Sequence, residues 1–105
     1  MIKEKVLLYI DDIRLPNNFN NFNTIFVVRT YKEAIDFINN KAQYYQVYIS
    51  FDHDLGEEKS GYDIAKYLVE NQIAIEGFKV HSANPVGRMN IEQLLTHYGY
   101  SKLIF

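Results

Sequence analysis

Short apolar runs alternate with polar, helix-forming segments along this chain, and that alternation limits the fold more than any other feature. Runs rich in β-branched and aromatic residues predict buried strands, at residues 5–10, 24–29, 44–51 and 78–81. Apolar positions at helical spacing predict helices, at residues 31–39, 62–72 and from 85 to about 98. Strands that alternate with helices imply a parallel sheet with right-handed crossovers. We therefore predict one α/β domain over residues 1–105, with a parallel sheet of four to five strands.

Two segments depart from this alternation. Residues 16–23 are rich in asparagine and predict a loop or one irregular turn, where a doubly wound domain has a helix. Residues 102–105 predict a short fifth strand, and no final helix follows it in the sequence. The flank without that helix is a surface on which a second copy of the chain can pack, so a homodimer is one expectation.

Composition excludes several classes of function. The 105 residues carry a formal net charge of −2 and build no basic stripe, so we expect no binding to extended duplex nucleic acid. No apolar run is long enough for a membrane span or a signal peptide, which predicts a cytoplasmic protein without membrane contact. Cysteine is absent, so disulfides, thiol nucleophiles and cysteine metal sites are excluded together.

Asp11 and Asp12 follow the first predicted strand directly. Adjacent carboxylates repel each other, and a divalent ion such as Mg²⁺ or Mn²⁺ offsets that charge with the oxygen ligands it prefers. The alternative interpretation is a solvated turn in which an aspartate caps the following backbone. A second acidic strand end at Asp52 favours the metal site.

Asp52, His53 and Asp54 follow the third strand. In extended backbone Asp52 and Asp54 share one face and His53 points to the other. Asp52 is then a metal ligand or a nucleophile, Asp54 is a further candidate ligand, and His53 is a candidate acid or base. Alternatively, His53 caps a helix or packs beneath a loop.

Residues 81–88 follow the fourth strand and open a helix at Pro85. Ser82, Asn84 and Arg88 are candidates for binding a phosphate, together with the free amides of the helix N-terminus. The alternative is a polar cap with an ordinary surface arginine. His81, paired with His53, suits cleavage of a phosphodiester, in which one histidine removes a proton and the other supplies one.

Arg14 and Arg29 are weaker candidates. Both can pair with the acidic cluster, an interpretation we favour for Arg29, and Arg14 is also a candidate phosphate ligand. His97 is expected at the surface near the end of its helix.

Two acids after the first strand, an acid after the third and a hydroxyl after the fourth resemble the receiver domain of response regulators. The resemblance implies a flavodoxin-like three-layer sandwich, truncated at its C-terminus because the final helix is missing. It also implies that Asp11 and Asp12 bind Mg²⁺, that Asp52 accepts a phosphoryl group and that Ser82 senses it. The lysine expected after the fifth strand is absent, because Lys102 precedes that strand.

A closer resemblance is to the receiver-like family named for cyclic-phosphate processing. The segments DDxRxP, DHDLG and HSxNPxG occur here in that order, at residues 11–16, 52–56 and 81–87. The resemblance implies processing of cyclic phosphates from nucleotides or RNA ends.

Together these features predict a metal-assisted phosphoesterase whose partner is a small phosphate ligand or an RNA end. Asp11, Asp12, Asp52 and Asp54 supply metal ligands, His53, His81 and Asp52 are catalytic, and the phosphate is held by four residues: Arg14, Ser82, Asn84 and Arg88. Two alternatives stay open. One is a non-catalytic module that is phosphorylated at Asp52 or binds a phosphate, and the other is a protein that only binds another protein.

Overall fold

Parallel strands form a single sheet in the computed structural model, which describes residues 2–16 and 21–103. The strands are β1 (Glu4–Ile10), β2 (Thr24–Val28), β3 (Tyr45–Phe51) and β4 (Gly77–Val80). The helices are α1 (Tyr31–Asn40), α2 (Gly61–Glu70) and α3 (Pro85–His97), with a 3₁₀ turn at Ala42–Tyr44. The strand order β2-β1-β3-β4 is that of a flavodoxin- or receiver-like sheet. The predicted α/β class is therefore confirmed.

The predicted fifth strand is reduced, in the described residues, to one parallel bridge. Lys102 pairs with Phe78, whose amide donates to the Ser101 carbonyl at 2.9 Å and whose carbonyl accepts from Leu103 at 2.7 Å. Residues 104 and 105 of the predicted strand lie outside the described residues. Of the predicted loop at residues 16–23, the described positions 16 and 21–23 are irregular as expected, and 17–20 lie outside the described part.

Side-chain caps fix where the helices begin. The Thr30 hydroxyl accepts from the Glu33 amide at the start of α1, as predicted. Ser60 and Asp63 form a capping box, so α2 begins at Gly61, one residue before the predicted start. The same helix ends two residues early, because Gln72 has a positive φ of 53° that no α-helix accommodates.

All three helices pack on one face of the sheet. Val6, Leu8 and Ile10 of β1 are buried in the same cluster as apolar residues of α1, α2 and α3. The alternate residues Leu7 and Tyr9 are buried on the other face, where the described residues that pack with them are Phe22, Ile25 and Tyr48. The described part of this second face is thus covered by the irregular β1–β2 connection rather than by a helical layer. No helix in residues 2–16 and 21–103 is long and apolar enough to cross a membrane.

We expect Gly61→Ala to destabilise the domain strongly. A Cβ at this position would lie 1.9 Å from the carbonyl oxygen of Asp52, and a backbone atom in a strand end cannot move aside. Overpacking of this kind lowers the free energy of unfolding by about 3 kcal/mol or more. Gly99→Ala is the control, because it adds a methyl to open space and carries only the penalty of its φ of 89°, about 1–2 kcal/mol. Equal losses for the two variants in urea unfolding would contradict this packing.

Candidate functional site

The register of the sheet places three reactive side chains level with one another. Ile10 of β1 pairs with Phe51 of β3, which pairs with Val80 of β4. The next residue of each strand is Asp11, Asp52 or His81. Backbone hydrogen bonds continue the ladder through all three, from Asp11 to Val28, from Asp52 to Ile10 and from His81 to Phe51. Three groups distant in sequence therefore emerge side by side.

Strand alternation also decides which face these side chains occupy. Ile10, Phe51 and Val80 point into the core beneath the helices. The next residue of each strand therefore lies on the opposite face: Asp11, Asp52 and His81. None of the described helices packs on that face. The site is built on the face that the irregular β1–β2 connection covers.

The Asp11 carboxylate is fully buried and accepts four hydrogen bonds. Its Oδ1 accepts from the amides of Ile13 and Arg14 at 2.9 and 2.8 Å. Its Oδ2 accepts from Arg14 Nε at 3.1 Å and from His81 Nε2 at 3.0 Å. Burial alone would raise the pKa of Asp11, but the amide and His81 hydrogen bonds outweigh burial and hold this pKa below its usual value. Asp11 is therefore ionised at neutral pH.

Arg14 supplies positive charge to both buried aspartates. Besides its bond to Asp11, its Nη2 lies 3.7 Å from Asp52 Oδ1. The Arg14 side chain is 52% exposed, whereas those of Asp11 and Asp52 are 1% and 7% exposed. The guanidinium thus covers the carboxylates from the solvent side.

His81 has both ring nitrogens hydrogen-bonded. Nε2 faces Asp11, Nδ1 lies 2.7 Å from the hydroxyl oxygen of Ser50, and the ring stacks on Tyr9 with centroids 4.4 Å apart. Burial lowers the pKa of His81, and the adjacent Asp11 only partly opposes this, so the ring is neutral at neutral pH. Because a carboxylate only accepts, Nε2 carries the proton and Nδ1 accepts from Ser50.

Asp52 lies at the base of a cavity of about 400 Å³. Burial, and then the negative charge of Asp11, raise the pKa of Asp52 above its usual value. Two buried carboxylates in this position favour any cation that comes between them. The cavity is lined by acidic, basic and small residues: Asp11, Asp12, Ile13, Arg14, Asp52, Asp54, Gly56, Ser82 and Ala83.

His53 points away from that cavity, towards α3. Its Nδ1 bonds Asp54 Oδ1 at 2.9 Å, a contact that lowers the pKa of Asp54. Its ring lies against Gly87, where a Cβ would be 2.3 Å from the imidazole. The other ring nitrogen of His53, Nε2, has no hydrogen-bond partner among the described residues. Every buried side-chain nitrogen of those residues does have a partner, so Nε2 of His53 is open to solvent. Asp52 and Asp54 line the cavity and His53 does not, although the backbone bends at His53 and is not the extended segment that the alternation assumed.

Asn84 serves as a helix cap. Its Oδ1 accepts from the Gly87 amide at 3.0 Å, and its Nδ2 donates to Asp54 Oδ2 at 3.3 Å. Ser82 is buried at the cavity wall, and its hydroxyl accepts from the Asn84 amide at 3.1 Å. The Arg88 side chain is exposed and has no ion pair among the described residues. Of the predicted phosphate ligands, Arg14 and Ser82 line the cavity, while Asn84 and Arg88 do not.

Asp12 lines the cavity apart from the buried row. Its Oδ2 would lie only 3.0 Å from a Cβ at position 56, where glycine also adopts a φ of 67°. Gly56 of the DHDLG segment is thus required both by the turn and by the Asp12 carboxylate.

Arg29 braces the loop that carries Asp11. Its Nη1 donates to the carbonyl oxygens of Asp11 and Arg14 at 2.9 and 2.7 Å. The interpretation of Arg29 as an ion-pair partner of the acidic cluster was wrong, because its contacts are with backbone carbonyls and Arg14 makes the ion pairs. Ser50 was missed altogether, since a serine inside a strand gives no signal until the register places it beside His81.

The residues fit a divalent metal. Asp11, Asp52 and His81 offer ligand atoms that all lie within 4.8 Å of one another. Two carboxylate oxygens and an imidazole nitrogen are ordinary ligands for a divalent ion. Asp12 and Asp54, also predicted as ligands, line the same cavity but stand outside this group.

Comparison with known proteins places most of the chain in one family. The family model described as "Cyclic-phosphate processing Receiver domain" matches residues 6–97, which include all three motif segments. The chain belongs to this family. No curated protein and no solved structure matches it. As the motif analysis indicated, Lys102 does not reach this site: it pairs with Phe78, near the opposite end of β4, and contacts Glu92 at 3.2 Å.

We expect Arg29→Gln to lower the free energy of unfolding by about 1–3 kcal/mol, because two carbonyl oxygens lose a charged donor. Arg88→Gln is the matched control, with the same change of charge at an exposed side chain. Urea unfolding of both variants measures the difference. Equal stabilities would show that the brace contributes nothing.

Proposed function

We propose that this protein is a metal-assisted enzyme that hydrolyses cyclic phosphates of nucleotides or RNA ends. The observation that carries the proposal is the row of Asp11, Asp52 and His81 beside a cavity that also holds Arg14. Family membership supports the cyclic phosphate as the class of substrate. A divalent ion such as Mg²⁺ or Mn²⁺, when bound by Asp11 and Asp52, supplies Lewis-acid polarisation of a phosphoryl oxygen.

Other side chains at the cavity can bind the phosphate and the organic part of the substrate. Arg14 can hold a phosphate oxygen, because half of its side chain is exposed and its guanidinium lies at the cavity. Ser82 also lines the cavity, and its hydroxyl accepts from the Asn84 amide and still has a proton to donate to a phosphate oxygen. Ile13 and Ala83 give the same cavity an apolar border that suits the organic part of a substrate.

We assign proton exchange with the substrate to His53 rather than to His81. Nε2 of His53 is open to solvent, whereas both ring nitrogens of His81 are engaged. His53 lies behind Asp54 and outside the cavity lining, so the substrate has to extend past Asp54 to reach it. In the absence of metal, His81 acts as a positioning residue for Asp11.

A second candidate is a module in which Asp52 accepts a phosphoryl group without further chemistry. The observation in its favour is that Asp52 and Ser82 line the same cavity at the ends of neighbouring strands. Lys102 pairs with Phe78 near the opposite end of β4, so it does not supply a lysine beside Asp52, and this argues against the phosphorylated module.

The test is turnover on a panel of 2′,3′- and 3′,5′-cyclic nucleotides and RNA ends, with Mg²⁺ or Mn²⁺ and with chelator. We expect metal-dependent product formation that falls by about 100-fold or more in Asp52→Asn, because the variant removes a charged metal ligand. Asp36→Asn is the control, since Asp36 is an exposed carboxylate on α1 that pairs with Lys32. Mass analysis after treatment with acetyl phosphate tests the second candidate in parallel.

Absence of turnover on every substrate and metal would refute the enzymatic proposal. A stable phosphate adduct that Asp52→Asn abolishes would then favour the phosphorylated module.

The histidine assignment makes its own prediction. We expect His53→Ala to lower kcat by 10²–10⁴-fold, the usual contribution of a general acid or base, while metal affinity stays unchanged. His97→Ala, which alters an exposed histidine at the end of α3, should change neither quantity. An unaltered kcat in His53→Ala would transfer the role to another group.

A further inference from the structure

We propose that His81 Nε2 is itself a metal ligand, so that the site selects a transition ion such as Zn²⁺ or Co²⁺ over Mg²⁺, with Ser50 as the residue that orients the imidazole. This inference rests on the metal site of the proposed function. It assigns that site a nitrogen ligand, which the paired-aspartate pattern of Asp11 and Asp12 does not contain.

The separation of the ligand atoms supports coordination by His81. Its Nε2 lies 3.0 Å from Asp11 Oδ2, and Asp52 completes a group within 4.8 Å. Two ligand atoms that each lie about 2.1 Å from a tetrahedral Zn²⁺ are about 3.4 Å apart, slightly more than the present separation of Nε2 and Oδ2. A small shift of the two side chains therefore brings Nε2 and Oδ2 to the spacing of neighbouring ligands.

The surroundings of the ring support it further. A histidine that ligates a metal almost always uses its other nitrogen in a second hydrogen bond, which fixes the ring. Nδ1 of His81 has this partner in Ser50, whose side chain is fully buried, and Tyr9 stacks on the ring from one side. Nothing in the hydrolytic proposal uses Ser50 or Tyr9.

The Ser50 hydroxyl suits the change of tautomer that metal binding requires. Without metal, Nε2 donates to Asp11 and Nδ1 accepts from Ser50. As a ligand, Nε2 must offer its lone pair, so the proton moves to Nδ1 and Ser50 becomes the acceptor. A hydroxyl can both donate and accept, and it satisfies Nδ1 in either arrangement without moving.

Arg14 occupies the position of the cation when metal is absent. Its Nε donates to Asp11 Oδ2, the same atom that lies beside His81 Nε2. Metal binding must displace this contact, and the half-exposed Arg14 side chain is free to turn towards solvent. Displacement would also release the guanidinium to meet a phosphate in the cavity.

The ligand set then determines the choice of ion. Imidazole suits Zn²⁺ and other late first-row ions, whereas Mg²⁺ demands oxygen ligands and keeps several of its waters. Two carboxylates and one imidazole therefore favour Zn²⁺ or Co²⁺. The preference depends on one atom, His81 Nε2, and is open to a direct test.

The experiment titrates the full chain, free of any polyhistidine tag, with Zn²⁺, Co²⁺ and Mg²⁺ in the absence of substrate. Calorimetry gives the affinities, and the visible spectrum of bound Co²⁺ reports its coordination geometry, which should change in His81→Gln. We expect Zn²⁺ and Co²⁺ to bind at least about 100-fold more tightly than Mg²⁺. His81→Gln should remove most of this preference while Mg²⁺ affinity changes only a few-fold.

Further variants test the two supporting residues. Ser50→Ala should weaken Co²⁺ binding by about 10–100-fold, the usual effect of removing such a partner. Ser101→Ala removes a hydroxyl from an exposed position and should leave the affinity unchanged. Arg14→Gln should strengthen binding, because the competing cation is gone, whereas Lys66→Gln, with the same change of charge on an exposed part of α2, should not.

Nitrogen NMR of the wild type keeps the proposal testable even if the His81 and Ser50 variants fail to fold. The chain has three histidines, so His53→Ala and His97→Ala assign the His81 signals by elimination. A Zn²⁺-induced shift of His81 Nε2 supports ligation. An unshifted His81 at saturating Zn²⁺, or a metal preference that persists in His81→Gln, would overturn it.

The outcomes also separate this inference from the proposed function. Tight Co²⁺ binding through His81 without turnover on any cyclic phosphate refutes the hydrolase and leaves the metal site. Turnover with Mg²⁺ that does not depend on His81 refutes the nitrogen ligand and leaves the hydrolase.

Discussion

Two carboxylates buried side by side at the ends of adjacent strands impose the strongest constraint on this structure. The register forces Asp11 and Asp52 together, and their mutual repulsion has to be offset by hydrogen-bond donors and positive charge. The loop after β1 supplies both, through the amides of Ile13 and Arg14 and through the Arg14 guanidinium. Arg29 in turn holds that loop by its carbonyl oxygens. Much of the DDIR segment therefore serves to stabilise one buried charge.

The same constraint explains where His81 lies. A neutral imidazole carries one N–H, so when Nε2 of His81 donates to Asp11, Nδ1 has a lone pair and needs a donor. The hydroxyl of Ser50, within β3, is that donor. The described part of this face has no helix, which leaves room for the ring to lie flat against Tyr9. The irregular β1–β2 connection is thus part of how the site is built.

Hydrophobic pattern was sufficient to predict the order and type of the four strands and three helices, because each strand is mostly apolar and each helix has apolar residues at helical spacing. It also placed Asp11, Asp52 and His81 at one edge, since parallel strands share their carboxyl ends. It could not reveal Ser50, whose role exists only through the register of β3 with β4. Nor could it decide whether Asn84 is a helix cap or a phosphate ligand, because an asparagine between a strand and a helix can take either role.

His53 and His81 both lie in motif segments that follow a strand, but their surroundings give them different roles. His53 and His81 both follow strands and both contact an aspartate, yet the His53 ring lies against Gly87 of α3 and the His81 ring stacks on Tyr9 at the other face of the sheet. In one aspartate–histidine pair, Asp54 is exposed and the partly buried His53 leaves a ring nitrogen free for exchange of protons with solvent or substrate. The other is buried and engages both nitrogens, a state suited to holding a charge in place. The division between proton transfer and charge placement therefore follows from position, since His81 is the first residue after β4 and His53 the second after β3.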